Sequence, residues 1–401
     1  MKRTLGLCFI CFLISLIAKS QLPVKFDNQY KKIFAKDLCL LAEKNPNLVI
    51  IDVRSPGEYN DTSRYNSLNM GHVKSAINIP IDSIQKNVGI MSVYKNKTFV
   101  VYCSHSQRSR RVSKILSDNG FTGFYNLNGG MTQLNQMTEQ EFPCKKDWLV
   151  TTLKYKNLSS SGAIKLIQEN PQLIILDIRP ETMFNSTDSL VENNIGRIKK
   201  AINIPYADLN QRMNELENFK NRPILVYSQS GDGDAARTAL ELANKGFTNV
   251  CHLLAGLNAL LINEDSKSII ENDALYHIVD GPGALRLLKN SKQITIYDTR
   301  PKNEFENRMG ENESYKNLGN IKNAVNIVEK DFSSIVYPKN KDNPVLIYGR
   351  EEAAKLAVIL SNQGYTGVYV MYGLFDFVFS AFNSDGCSDA LQFLENHKGL
   401  Y

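Results

Sequence analysis

Residues 103–109 read Cys103-Ser-His-Ser-Gln-Arg-Ser109. A thiol, an imidazole, a guanidinium and several hydroxyls fall within one short stretch. The stretch follows an apolar, strand-like run, Thr98 to Tyr102, and leads into a helix-like segment, Gln107–Asn119, with Val112, Ile115 and Leu116 on one face. A thiol at the N-terminus of a helix faces free N–H groups that favour the thiolate. Arg108, Arg110 and Arg111 add positive charge nearby. The loop between Cys103 and Arg108 can turn its N–H groups inward as an anion cradle. Cys103 is therefore the candidate nucleophile. Ser104, His105, Ser106, Gln107 and Arg108 are candidate substrate-binding residues. Arg108 reads as a charge partner or loop brace. His105 reads equally as a substrate contact or as a solvent-facing loop residue. A buried strand-end Cys is the plain alternative for Cys103.

The elements that position this loop occur three times. Three apolar runs end in Asp: Leu48 to Asp52, Leu173 to Asp177 and Ile294 to Asp298. Arg follows two residues on, as Arg54, Arg179 and Arg300. A Gly then opens a second block, at Gly71, Gly196 and Gly319, and Ala-Ile-Asn-Ile-Pro or a close variant follows. A second strand ends at Tyr102, Tyr227 and Tyr348. The three Asp residues are spaced by 125 and 121 residues, the length of a domain rather than of a solenoid repeat. Near-continuous apolar strands alternating with helices predict a mostly parallel α/β sheet flanked by helices on both faces. Ligands of such sheets bind beyond the carboxyl ends of the strands, which places the residue after each Tyr at the candidate site.

Only the first copy carries a nucleophile there. The second reads Ser228-Gln-Ser-Gly-Asp232-Gly-Asp234 and the third Gly349-Arg350-Glu-Glu352. Both are expected to be inactive, with packing, docking or regulatory roles. The acidic stretch Asp232 to Asp234 lacks the later Glu of a calcium loop, so no metal or cofactor is expected. Asp188, Glu192, Glu304 and Glu306 read as solvated loop charges.

The chain begins with a basic Met1-Lys2-Arg3, an apolar run to Ala18 and small residues before Gln21. That order predicts a signal peptide over 1–20, a mature start near Gln21 and a periplasmic or secreted protein. The expected units are 21–146, 147–268 and 269–401. Five cysteines remain after cleavage, Cys39, Cys103, Cys144, Cys251 and Cys387, so at least one thiol is expected free unless it pairs with another chain. A redox alternative would pair Cys103 with Cys39 or Cys144. Acceptor motifs for N-glycosylation begin at Asn60, Asn96, Asn157, Asn185 and Asn312. The net charge of +6 is scattered, which gives nucleic-acid binding no support. With 43% hydrophobic and 22% charged residues, disordered and multi-span membrane classes are excluded.

The block Asp52-Val-Arg54-Ser-Pro-Gly-Glu58-Tyr, the block Gly71-His72-Val to Pro80, and the Cys103 loop together resemble the rhodanese homology domain. The resemblance extends to all three copies. It implies a single-Cys sulfurtransferase: the thiolate takes a sulfane sulfur from a donor such as thiosulfate, holds it as a persulfide, and passes it to an acceptor thiol or cyanide. Cys103 to Arg108 is a Cys-x4-Arg loop. Phosphatases of this fold carry a longer Cys-x5-Arg loop, so the spacing favours sulfur over phosphate. Asp52, Arg54, Glu58 and His72 read as structural support, with Arg54 and Glu58 expected to pair with each other. The partners expected are a small sulfur-containing anion, a thiol acceptor, and a protein docking on the second and third units.

Overall fold

The computed structural model describes residues 25–26, 30–231, 233–309, 318–334, 337–372, 374, 377 and 388–396. The expected leader, the start at Gln21, Asp232, the motif at Asn312 and Cys387 lie outside the described residues.

The apolar runs become buried parallel strands, as their β-branched residues and lack of polar alternation require. In the first unit the order is Lys31–Ile33, Phe124–Leu127, Phe99–Tyr102, Val49–Asp52, Ile77–Asn78, with Lys25–Phe26 added antiparallel at the edge. The second unit repeats it as Lys156–Leu158, Val250–Leu253, Ile224–Tyr227, Ile174–Asp177, Ile202–Asn203. The third runs His277–Ile278, Val368–Tyr372, Val345–Gly349, Thr295–Asp298, Val325–Asn326. Even the register is shared: Asp52 stands opposite Tyr102, Asp177 opposite Tyr227 and Asp298 opposite Tyr348. Each sheet has one apolar cluster on either face.

The repeated polar residues hold each sheet end rigid. The Asp52 carboxylate grips the Arg54 guanidinium at 2.7 Å, and Arg54 Nη2 also donates to the Gly71 carbonyl. Arg179 and Arg300 make the same pair of contacts, to Asp177 and Gly196 and to Asp298 and Gly319. The Tyr102 hydroxyl accepts from Val73 N–H, and Tyr227 and Tyr348 accept from Ile198 and Ile321. All these groups are buried, so each lost partner would leave an uncompensated charge or dipole.

The strands just past the expected unit ends reach back. Leu149–Val150 pairs antiparallel with His72–Val73, and Ile270–Glu271 with Arg197–Ile198. One docking arrangement is used twice. Helix Gly233–Asn244 of the second unit packs on the turn Asn66–Leu68 of the first, and helix Glu351–Asn362 of the third packs on Val191–Asn193 of the second. The corresponding helix of the first unit, Gln107–Asp118, instead presents Gln107, Arg111, Lys114 and Asp118 to solvent.

Cys39 and Cys144 form a disulfide with a Cα separation of 6.1 Å, spanning 105 residues of sequence. Cys103 and Cys251 are free and buried. The thiol pairing of Cys103 with Cys39 or Cys144 is therefore overturned: those two are joined to each other.

Candidate active site

Cys103 directly follows the strand Phe99–Tyr102 and is 1% exposed. The chain then rises through Ser104 and the exposed His105 to Ser106, whose φ of 76° is left-handed. A left-handed non-glycine residue is strained unless its surroundings hold it. Here the Ser106 hydroxyl accepts from Gly129 N–H at 2.5 Å, and the Ser106 carbonyl receives Arg110 N–H and the Ser109 hydroxyl. The helix Gln107–Asp118 starts at once. Among the described residues, nothing accepts a hydrogen bond from the N–H groups of Ser104, His105, Ser106, Gln107 or Arg108. Five open donors at a helix N-terminus have the arrangement that an anion cradle needs.

Behind the loop, Met131 N–H donates to the Cys103 carbonyl and Thr132 N–H to the Ser104 carbonyl. Helix Gly130–Gln136 thus anchors the loop from below. The approach is close: a Cβ on Gly130 would lie 2.1 Å from the Cys103 oxygen, and Gly130 has φ of 53°.

Arg108 closes the other side. Its two terminal nitrogens reach the two oxygens of Glu58 at 2.6 Å each, and Nη2 also donates to the Ser104 hydroxyl at 2.9 Å. The expected Arg54–Glu58 pair is thus corrected: Arg54 is held by Asp52, and Glu58 belongs to Arg108. The physical reason is the chain turn at Ser55. Its hydroxyl and N–H bind the Glu58 carboxylate in a capping box over helix Pro56–Tyr59, which turns Glu58 toward the loop. Burial works to raise the Glu58 carboxyl, but the Arg108 hydrogen bonds and charge, helped by Ser55, outweigh it and hold the group below its ordinary value. Ser55 was missed from sequence, although Ser55-Pro-Gly-Glu58 carries the S-x-x-E capping signature. Arg108 braces the loop through Glu58 and the Ser104 hydroxyl.

The remaining sequence candidates differ in their surroundings. His105 stands exposed on the loop; its imidazole is held below the ordinary histidine value by its crowded setting and then by Arg108, an effect that the open ring face moderates. Gln107 is exposed at the helix start. His72 stacks on Tyr59 at 4.1 Å and hydrogen-bonds the Tyr59 carbonyl, which is a structural task. Arg110 is buried with its Nε on the Tyr30 hydroxyl, and Arg111 lies in solvent.

The other two units lack this constellation. In the second, Ser228 takes the thiol position, Met183 that of Glu58 and Asp234 that of Arg108. In the third, Arg350 crosses the mouth to Glu304 at 2.7 Å. Glu304, expected as a solvated charge, is buried by that pair.

The family model described as a rhodanese-like domain matches residues 35–137, 160–262 and 282–376. The chain belongs to the rhodanese-like family. A tRNA uridine(34) hydroxylase of Buchnera aphidicola subsp. Baizongia pistaciae is 30% identical over 117 residues, 27% of this chain and 34% of that protein. A protein of the same name from Cronobacter sakazakii is 30% identical over 106 residues, 25% of this chain and 28% of that protein. The chain thus spans about a third of the length of these curated relatives. Among solved structures, a rhodanese-related protein from Thermoplasma volcanium is 29% identical, covering 26% of this chain and 89% of its own, at a TM-score of 0.21. A thiosulfate sulfurtransferase from Pseudomonas aeruginosa is 16% identical, covering 86% of this chain and 67% of its own, at a TM-score of 0.23.

Proposed function

We propose that this rhodanese-like chain is a sulfurtransferase that works outside the cytoplasm and carries sulfur on Cys103. The observation that carries the reading is the free thiol of Cys103 beneath five open N–H donors, braced by Arg108 and Glu58. The Cys103 thiolate attacks the outer sulfur of thiosulfate. The S–S bond of the donor breaks, and sulfite leaves with the electron pair. The anionic persulfide on Cys103 then sits in the N–H cradle. A thiol or cyanide acceptor attacks the outer sulfur, and the Cys103 thiolate returns. The relatives named hydroxylases match over about the length of one unit, so their reaction is not carried to this chain.

The location rests on the Cys39–Cys144 disulfide, which persists in oxidising compartments, together with the leader expected at 1–20. No helix of the described residues is long and apolar enough to cross a membrane. The second and third units serve packing and docking rather than sulfur transfer.

The test is thiosulfate treatment followed by intact mass. Wild type gains one sulfur atom on Cys103, loses it to cyanide as thiocyanate, and Cys103→Ser does neither. No mass gain and no thiocyanate from wild type would remove thiosulfate as the donor.

A further inference from the structure

The cleft between the first two units gathers like charges. Strand Lys156–Leu158 is the edge of the second sheet, and helix Gly130–Gln136 of the first unit packs beside it. The segment that leaves this helix and the helix Ser160–Glu169 that follows the strand wall a cavity of 780 Å³. Four lysines line it, Lys145 and Lys146 from the first unit and Lys156 and Lys165 from the second. The carboxylate among the lining residues is Glu139. Ammonium groups that share a cleft repel one another, so their assembly at a junction favours an anion between them.

Lys145 is fixed in place. Its Nζ donates to the Asn135 carbonyl at 2.7 Å and to the Met137 carbonyl at 2.6 Å, which caps the end of helix Gly130–Gln136. An ammonium has three donors, so one stays open. The carbonyls hold the group without neutralising it, while Glu139 pairs with Lys146 at 3.0 Å. The preceding residue, Cys144, is tied by its disulfide to Cys39, which pins this segment to helix Ala35–Lys44. Lys156 is exposed and has no ion pair among the described residues. The pairs Lys146–Glu139 and Lys165–Glu169 lie in solvent, where they are worth little and yield to a stronger anion. Ser161 is exposed on the same wall.

The type of cation narrows the ligand. All the lining cations are lysines, and the planar fork of arginine, which matches a carboxylate, is not among the lining residues. A rotatable point charge suits an oxyanion whose charge is spread over a tetrahedron. The cavity has the size of a small-molecule site and holds more than one such group. We propose that this cleft binds a small molecule bearing several phosphate or sulfate groups, with Lys145, Lys156 and Lys165 as its cations and the Ser161 hydroxyl as a further donor. It is a ligand site separate from Cys103. The start of helix Gly130–Gln136 anchors the Cys103 loop, and its other end borders the cleft.

The probe is tripolyphosphate, titrated calorimetrically into the full-length wild-type protein, with butanetetracarboxylate of similar charge as the control. Tripolyphosphate binds, and the carboxylate binds about tenfold more weakly. Lys156→Glu with Lys165→Glu, two exposed changes, weakens tripolyphosphate about tenfold or more. Lys86→Glu with Lys330→Glu, the same charge change outside the cleft, leaves the affinity within about twofold. Sucrose octasulfate distinguishes the sources of the oxyanion: tighter binding than tripolyphosphate assigns the cleft to a sulfated sugar, weaker binding to a phosphate chain. Sulfur transfer by Lys156→Glu with Lys165→Glu stays at the wild-type rate, so failure here leaves the Cys103 reading untouched. Equal binding of the carboxylate, or equal losses in the two double variants, overturns the proposal.

Discussion

Arg108 and Glu58, separated by 50 residues in sequence, meet through two contacts of 2.6 Å. This fork joins the helix that follows the nucleophile to the short helix Pro56–Tyr59 that follows strand Val49–Asp52. It fixes the loop from outside, as helix Gly130–Gln136 fixes it from below. Glu58 is joined to the loop through Arg108 and acts as a positioning residue.

Glu58→Gln keeps the shape and removes the charge of the fork. The kcat/KM for thiosulfate is expected to fall about 10- to 100-fold, the range set by charge-assisted hydrogen bonds. Alkylation of Cys103 should still occur, which separates loop misplacement from unfolding. The pH dependence has a definite sign. A carboxyl held below its ordinary value contributes stability that is complete above that value and is lost as pH falls through the lower, folded one. Wild type should therefore lose stability below about pH 4, and Glu58→Gln should lose less over that range. Equal acid unfolding of the two proteins would refute the role given to the fork.

Gly130→Ala tests the support from below. The added Cβ would meet the Cys103 carbonyl at 2.1 Å, on a backbone with positive φ. A cost of about 1–3 kcal/mol and a displaced loop are expected. Thermal unfolding and thiosulfate turnover should both suffer. Gly256→Ala makes the same clash in the second unit, where a Cβ would lie 2.4 Å from Gly231 N. That variant should lose stability with little change in turnover, since no thiol stands there.

What could be read in the sequence follows from the range of the interactions. The strands ending at Asp52 and Tyr102 were visible because burial on both faces writes a continuous apolar run. The helix expected over 107–119 is observed as Gln107–Asp118, because its apolar face has a helical period. Cys103 stood out because its neighbours in sequence are also its neighbours in space. The partner of Glu58 was hidden: Arg54 is near in sequence, but strand-end geometry folds it onto Asp52. The Arg350–Glu304 pair was hidden for the same reason, as it joins residues 46 apart. Ser106 gave no sign of its left-handed backbone, which depends on the distant Gly129 N–H.

Restoring a thiol to the second unit should not restore chemistry. In Cys103→Ser with Ser228→Cys, the new thiol has Met183 and Asp234 where the first unit has Glu58 and Arg108. Neither of these two positions supplies the brace or the cation that the first unit has there. Intact mass after thiosulfate should show no added sulfur, and thiocyanate production should stay at background. Turnover approaching wild type would show that the loop alone suffices.

The Cys39–Cys144 bond encloses the whole catalytic loop in its 105-residue span. Cross-linking so long a segment restricts the unfolded chain by about 4–5 kcal/mol in the chain-entropy view. Cys39→Ala, or reduction, should lower the unfolding temperature of the first unit and leave the other two near their wild-type values. Activity below that transition should persist, because neither cysteine touches the Cys103 loop. Immediate loss of turnover on reduction at low temperature would contradict this separation.

The junction of the first two units should be acid-sensitive through His252. This residue is 1% exposed on the strand Val250–Leu253, edge-on to the Tyr155 ring. Its Nδ1 meets Asn157 Oδ1 at 2.8 Å, and the Asn157 amide in turn donates to the Asn69 carbonyl of the first unit. Because Asn69 takes the amide donor, Oδ1 faces the ring as an acceptor and Nδ1 must carry the proton. Nε2 is then a buried lone pair with no partner among the described residues. Burial lowers the imidazole from 6.5 to about 4. A base whose folded value is depressed binds fewer protons than the unfolded chain between those two values, so stability falls as pH is lowered through that window. The loss amounts to about 3 kcal/mol once the pH is below the folded value. His252→Gln keeps a donor for Asn157 but cannot titrate. Denaturant unfolding at pH 7 and pH 4.5 should show a larger drop for wild type than for His252→Gln. Parallel drops would mean that His252 is not the group that titrates.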